Sequence, residues 1–126
     1  MEKRVDVNAQ GGRFGNALHI ASYKGYHTIA NMLIQKGADV NQQGGDYGNA
    51  LQAASYGGHE AITQQLNGAD VNAQGGEYGN ALQAASLEGH EALTKLLIEK
   101  GAYVNAQGGY HENALQAASY RGASGN

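Results

Sequence analysis

Two His-Glu pairs, His59-Glu60 and His90-Glu91, are the residues of this chain best suited to hold a metal or move a proton. On a helix, such a pair opens a zinc-hydrolase site only when a second histidine follows one turn on, so that both imidazoles face one ion. Thr63 and Thr94 occupy those places, and the pairs read instead as turn histidines that hydrogen-bond locally. His111 stands between Tyr110 and Glu112, but three adjacent side chains do not converge on one ion, so a solvated loop is expected there. Ser22, Ser55, Ser86 and Ser119 recur without a base and an orienting acid recurring beside them; a nucleophile needs both. They read as small packing residues. The glycine-rich stretches "GGRFG" from Gly11, "GGDYG" from Gly44 and "GGEYG" from Gly75 share only their glycines with phosphate loops. Those follow a strand, open a helix at the glycines and bring a lysine or acid at fixed distance. These are turns, and no catalytic residue, metal or cofactor is expected.

The bulk numbers bound the partners and the compartment. A formal charge of −3 over 126 residues, with both signs scattered, supplies no basic stripe to neutralise a nucleic-acid backbone. There are no cysteines, which removes disulfides and thiolate metal sites and permits a reducing compartment. The opening "MEKRVDVNAQ" has no apolar run behind its charges, and no later stretch is long enough to span a bilayer. A cytoplasmic chain with no membrane partner is expected.

Behind these motifs lies a repeat. The chain aligns on itself as units 6–38, 39–69, 70–102 and a truncated 103–126, with 33 residues in each of the two full-length copies. Such a period signals stacked supersecondary units within one domain. In the third unit, "NALQAASLEG" is one helix-length block; Gly89 interrupts it, and "HEALTKLLIEKG" is a second, with Leu93, Leu97 and Ile98 at helical spacing. Asn80 with Gln83 forms a capping box, as do Asn49 with Gln52 and Asn113 with Gln116, while the first unit pairs Asn16 with His19. Gly37, Gly68 and Gly101 close the second helices. The pairs Ala53–Ala54, Ala84–Ala85 and Ala117–Ala118 lack bulk and let first helices approach closely. "VNAQGGEY" is too polar for a buried strand and suits a projecting hairpin-like loop. The fold class is therefore an all-α repeat solenoid of stacked helix-turn-helix units.

These residues resemble the ankyrin repeat. Asn-Ala-Leu-Gln stands where that family usually has Thr-Pro-Leu-His, with His19 keeping the family's histidine in one unit; Gly58-His59 and Gly89-His90 match its turn, and Gly37-Ala38-Asp39-Val40-Asn41 its exit. The match covers nearly the whole chain. The phrase Asn-Ala-Gln-Gly-Gly-x-Tyr-Gly-Asn-Ala-Leu-Gln-Ala-Ala-Ser is similar to the arrays of fungal proteins that follow a nucleotide-hydrolysing NACHT module, although no NACHT-type nucleotide site is present. The resemblance implies a protein-binding module. It also implies that Asn8, Asn41, Asn72 and Asn105 occupy the exit position some repeats offer to asparaginyl hydroxylases, with structural hydrogen bonding as the alternative. Two departures stand out. The second unit is two residues shorter between Gly58 and Gly68 than its neighbours, which predicts a packing defect or a bend. The fourth stops after its first helix, so uncapped apolar ends are expected, in a fragment of a longer array or in a chain that pairs end to end.

Comparing the copies separates framework from variation. At the loop tips the series runs Arg13, Asp46, Glu77, Tyr110, beside Phe14, Tyr47, Tyr78 and His111. At the end of the first helix it runs Tyr23, Tyr56, Leu87, Tyr120, followed by Lys24, Gly57, Glu88, Arg121. In ankyrin repeats these places line the loop tips and the concave groove. Tyrosine offers a large contact area with a polar tip at small entropy cost. The partner-binding residues expected are therefore Arg13, Phe14, Tyr23, Lys24, Asp46, Tyr47, Tyr56, Glu77, Tyr78, Glu88, Tyr110, His111, Tyr120 and Arg121. The loop aromatics have packing between loops as their alternative role. The expected partner is a protein of unknown identity, with an end-to-end homo-oligomer as the rival.

Overall fold

The computed structural model describes residues 6–104. Over them the repeats become three antiparallel helix pairs: α1 (Ala17–Lys24) with α2 (His27–Gln35), α3 (Ala50–Gly57) with α4 (Glu60–Gln65), and α5 (Ala81–Leu87) with α6 (Glu91–Glu99). A short 3-10 turn covers Gly12–Phe14, and there is no strand among the described residues. The fourth copy, from residue 105 onward, lies outside them.

Each first helix starts on a reciprocal cap. The Asn49 side chain accepts from the Gln52 N–H at 2.9 Å, and Gln52 Oε1 accepts from the Asn49 N–H at 2.7 Å. Asn80 and Gln83 repeat this at 2.8 and 2.9 Å. In α1 the imidazole replaces the amide, with His19 Nδ1 accepting from the Asn16 N–H at 3.1 Å. Two first-turn donors that helix geometry leaves unpaired are thus satisfied at every start. At the far ends, α2 and α6 close in Schellman motifs: Gly37 N–H donates to Ile34 and Ala38 N–H to Leu33, with Gly101 to Ile98 and Ala102 to Leu97 matching.

The core is one spine. First helices pack in a row, α1 on α3 and α3 on α5, burying Leu18, Leu51 and Leu82 together with Ala21, Ala54 and Ala85. Ala53 and Ala84 are buried as well, and their small side chains permit the close approach of the row. Ile62, Leu66, Leu93 and Leu97 fill the layer beneath from the second helices. Each such side chain contributes roughly 1.5–3 kcal/mol when fully removed from water.

Polar staples fix the spacing between pairs. Asn41 donates to the Gly68 carbonyl at 3.0 Å and accepts from the Asp70 N–H at 2.7 Å. Asn8 and Asn72 do the same for the segments around Gly37 and Gly101. Asn8, Asn41 and Asn72 are thus structural hydrogen-bonding residues, with the amide of each used at both ends; Asn105 lies outside the described residues. The turn histidines are staples too: His59 Nε2 bonds the Tyr23 carbonyl at 2.8 Å and His90 Nε2 that of Tyr56 at 3.0 Å. Thr63 and Thr94 return their hydroxyls to the carbonyls of His59 and His90. Ser22 and Ser55 have buried hydroxyls without a hydrogen-bond partner.

The short second unit has a visible consequence. α4 has six residues where α2 and α6 have nine, and it ends at Leu66 without the two-bond closure of its neighbours. A cleft of about 210 Å³ opens where the residues are missing, lined by Leu51, Thr63, Leu66, Gly68, Val71 and Lys100.

Candidate protein-interaction surface

Before each helix pair the chain makes a five-residue loop whose first N–H donates to its last carbonyl: Gly11 to Gly15 at 2.8 Å, Gly44 to Gly48 at 3.0 Å and Gly75 to Gly79 at 2.8 Å. Successive tips also bond each other, Asp46 N–H to the Arg13 carbonyl at 2.7 Å and Glu77 N–H to the Asp46 carbonyl at 2.8 Å. The second glycines of the two later pairs, Gly45 and Gly76, make this possible. Gly45 has φ +70°, and a Cβ there would lie 2.5 Å from the Arg13 carbonyl oxygen, so any side chain would be strained and would push the tips apart. The glycine pairs are stacking devices.

This stacking draws two series of tyrosines into one cluster. Tyr47, on a loop, lies face to face with Tyr23 at the end of α1, with ring centroids 4.7 Å apart and planes 11° apart. Its centroid is also 5.0 Å from that of Tyr56, at the end of α3, and Tyr56 meets Tyr78 of the next loop edge-on at 4.6 Å. The zigzag Tyr23, Tyr47, Tyr56, Tyr78 is continuous, and all four rings are half-buried. Loop aromatics and helix-end aromatics therefore pack on one another as a single set. Leu87 takes the next helix-end place. Burial, and next a hydrogen bond with Tyr23, push the Tyr47 hydroxyl up to about 12, against a smaller opposing effect of Arg13. The Tyr78 hydroxyl is raised as well, by burial first and by a hydrogen bond with Tyr56 second.

Beside the cluster runs an open groove of about 440 Å³ lined by Tyr23, Lys24, Tyr56, Gly57, His59, Glu88 and His90. Gly57 forms its floor, where a Cβ would stand 2.5 Å from the Tyr23 carbonyl oxygen. A side chain at Gly57 itself is thus disfavoured by packing, while Lys24 and Glu88 stand at the same place in their units. Gly57 stands in the helix-end series but not among the binding residues expected from it, and His59 and His90 belong to Gly-His turns whose sequence signal is structural. At the tips, Arg13 pairs with Asp46 at 3.2 Å and lies 5.7 Å over the Phe14 ring. Phe14 lies apart from the tyrosine cluster, and Glu77 is exposed beside Tyr78. Tyr110, His111, Tyr120 and Arg121 fall outside the described residues.

Capped helix pairs, bonded loop tips and exit asparagines are the parts of one known architecture. The family model described as ankyrin repeats (3 copies) matches residues 50–125, and a second, ankyrin repeats (many copies), matches residues 18–66. The chain belongs to the ankyrin-repeat family. No curated protein matches it. Ankyrin repeats are generally protein–protein interaction modules, and no catalytic family is indicated. Among the described residues of this ankyrin array, no helix is long and apolar enough to cross a membrane.

Proposed function

We propose that this ankyrin array is a non-catalytic module that binds a protein partner across its loop tips and along the groove beside them. In this reading the 126 residues are one cytoplasmic domain of units 6–38, 39–69, 70–102 and 103–126. The observation that carries the proposal is the tyrosine cluster. Tyr23, Tyr47, Tyr56 and Tyr78 offer rigid, amphipathic rings, already ordered by one another, so a partner that covers them loses little side-chain entropy. Lys24 and Glu88 at the groove, with Arg13, Asp46 and Glu77 at the tips, would supply the polar rim. The narrower likeness to fungal NACHT-associated arrays rests on the repeated phrase alone and finds no support among curated proteins.

The test is a pull-down with the 126-residue chain, mass spectrometry of what is retained, and affinity measurements on the partner recovered. Replacing Tyr23 and Tyr56 together by Ala is expected to weaken binding at least about 30-fold, the scale of one interface hot spot, with helicity unchanged. Unaltered affinity in a folded variant sinks the assignment.

A second reading has its own observation. Ile20, Ile29 and Met32 are 38, 49 and 58% exposed at the first helix pair, an apolar end suited to stacking on another copy. Light scattering across a dilution series separates this spacer from the partner-binding module; a monomer at every concentration rejects it.

A further inference from the structure

We propose that Tyr23 and Tyr47 are an oxidative cross-linking site, at which a one-electron oxidant joins the two rings into an intramolecular dityrosine. Phenoxyl radicals couple at the ring carbons ortho to oxygen, and the new bond forms perpendicular to both ring planes. Face-to-face contact at van der Waals separation is the geometry this requires. Tyr23 and Tyr47 have it, with centroids 4.7 Å apart and planes 11° apart. The other close pairs are inclined, Tyr56–Tyr78 at 63° and Tyr47–Tyr56 at 57°, while Tyr47–Tyr78 is parallel at 16° but 6.2 Å apart.

Composition directs the oxidation to tyrosine, and geometry selects the pair that couples. The chain has eight tyrosines, no tryptophan and no cysteine, so neither indole nor thiol intercepts an oxidising equivalent once it reaches tyrosine. Contacts along the zigzag let a radical formed on any of its rings migrate to the stacked pair. Each of the two tyrosines loses one electron and its phenolic proton; the radicals combine; the two ortho hydrogens shift to the oxygens through solvent. Two electrons and two protons leave in total. The product ties the 44–48 loop to the end of α1 and closes a covalent loop from Tyr23 to Tyr47, which restrains the unfolded chain as a disulfide does.

The experiment uses the 126-residue chain at low micromolar concentration, with tris(bipyridyl)ruthenium(II), light and persulfate, which accepts the two electrons and becomes two sulfates. The expected product is a monomer lighter by two hydrogens, with dityrosine fluorescence, a raised Tm, and a single cross-linked proteolytic peptide pair containing Tyr23 and Tyr47. Tyr23→Phe and Tyr47→Phe, which keep the ring stack, each abolish that pair. Parent chain oxidised in denaturant guards against unfolded variants and should give the Tyr23–Tyr47 product at no more than a tenth of the native yield. Equal yield in denaturant overturns the proposal. So do cross-links only between chains, dityrosine at other positions only, or tyrosine oxidation without coupling.

Discussion

His19 shows how one side chain can perform the task of another and bring a new sensitivity with it. Its Nδ1 accepts from the Asn16 N–H, and its Nε2 lies 2.8 Å from the Gln42 carbonyl, so the cap requires the neutral ring with its proton on Nε2. Protonation would set a donor on Nδ1 against the Asn16 N–H. Burial holds the imidazole below its ordinary pKa, with the Gln42 bond pulling the other way. The unfolded chain therefore binds the extra proton first. Stability from this group is complete above about pH 6.5 and is lost as pH falls below that value, with a slope of at most about 1.4 kcal/mol per pH unit. His19→Gln installs the amide that Gln52 and Gln83 already use. Denaturant unfolding between pH 7 and 5 should show a shallower loss in the variant, and identical slopes would remove His19 from the acid response. The tyrosines have the opposite sign. With the Tyr47 hydroxyl raised to about 12, the folded state keeps its proton after the unfolded chain has released it. Its contribution is full below about pH 10, the ordinary tyrosine value, and fades from there to about pH 12. Phenolate absorbance should therefore lag in the native protein, and Tyr47→Phe should remove one chromophore from the late portion; complete ionisation near pH 10 would show that the cluster is open to water.

At the scale of elements, what was legible in the sequence is what is local. The Asn and Gln of a cap are three residues apart, and the exit glycine follows its helix directly, so six helices and their ends could be read without any long-range contact. The missing residues of the second unit were legible for the same reason. Two residues are missing, and α4 ends three residues short of α6, most of a turn at about 3.6 residues per turn, beside the 210 Å³ cleft; Gln65 at its end has a buried Oε1 without a partner. Inserting Glu-Lys between Asn67 and Gly68, as Glu99-Lys100 precede Gly101, should extend α4 and allow the two-bond closure of α2 and α6. The expected gain is about 0.5–2 kcal/mol, the usual scale of a repaired helix end, together with a rise in helical circular dichroism. A lower denaturation midpoint would mean that Val71 and Lys100 are adapted to the short exit. The candidate surface was only half legible. Tyr23 and Tyr47 stand in different copies and in different series of the alignment; they meet because loop tips bond across copies, a contact that no spacing within one copy announces.

Stacking sets the value of a residue by its place in the row, and the whole molecule supplies the control. Ile29 and Ile62 each stand four residues after a turn glycine, Gly25 and Gly58, yet Ile29 is 49% exposed and Ile62 only 1%. The first helices repeat the contrast, with Ala17 exposed while Ala50 and Ala81 are buried. A neighbouring pair on the N-terminal side accounts for the difference, since α1 and α2 precede α3 and α4 and cover them, whereas nothing among the described residues covers α1 and α2 in the same way. One substitution made at two equivalent sites therefore has two costs. Ile62→Ala should lower stability by about 2–5 kcal/mol, the range for truncating a buried aliphatic side chain, because the emptied space is enclosed by two helix pairs. Ile29→Ala should stay within about 0.5 kcal/mol, as surface changes do. Urea unfolding of both variants, at the same protein concentration and with common m-values, measures the difference. Equal losses would mean that Ile29 is covered in solution, and a loss at Ile29 that grows with protein concentration would identify the cover as a second chain. Equal and negligible losses would overturn the shared spine itself, because a unit that folded apart from its neighbours would gain nothing from its place in the row.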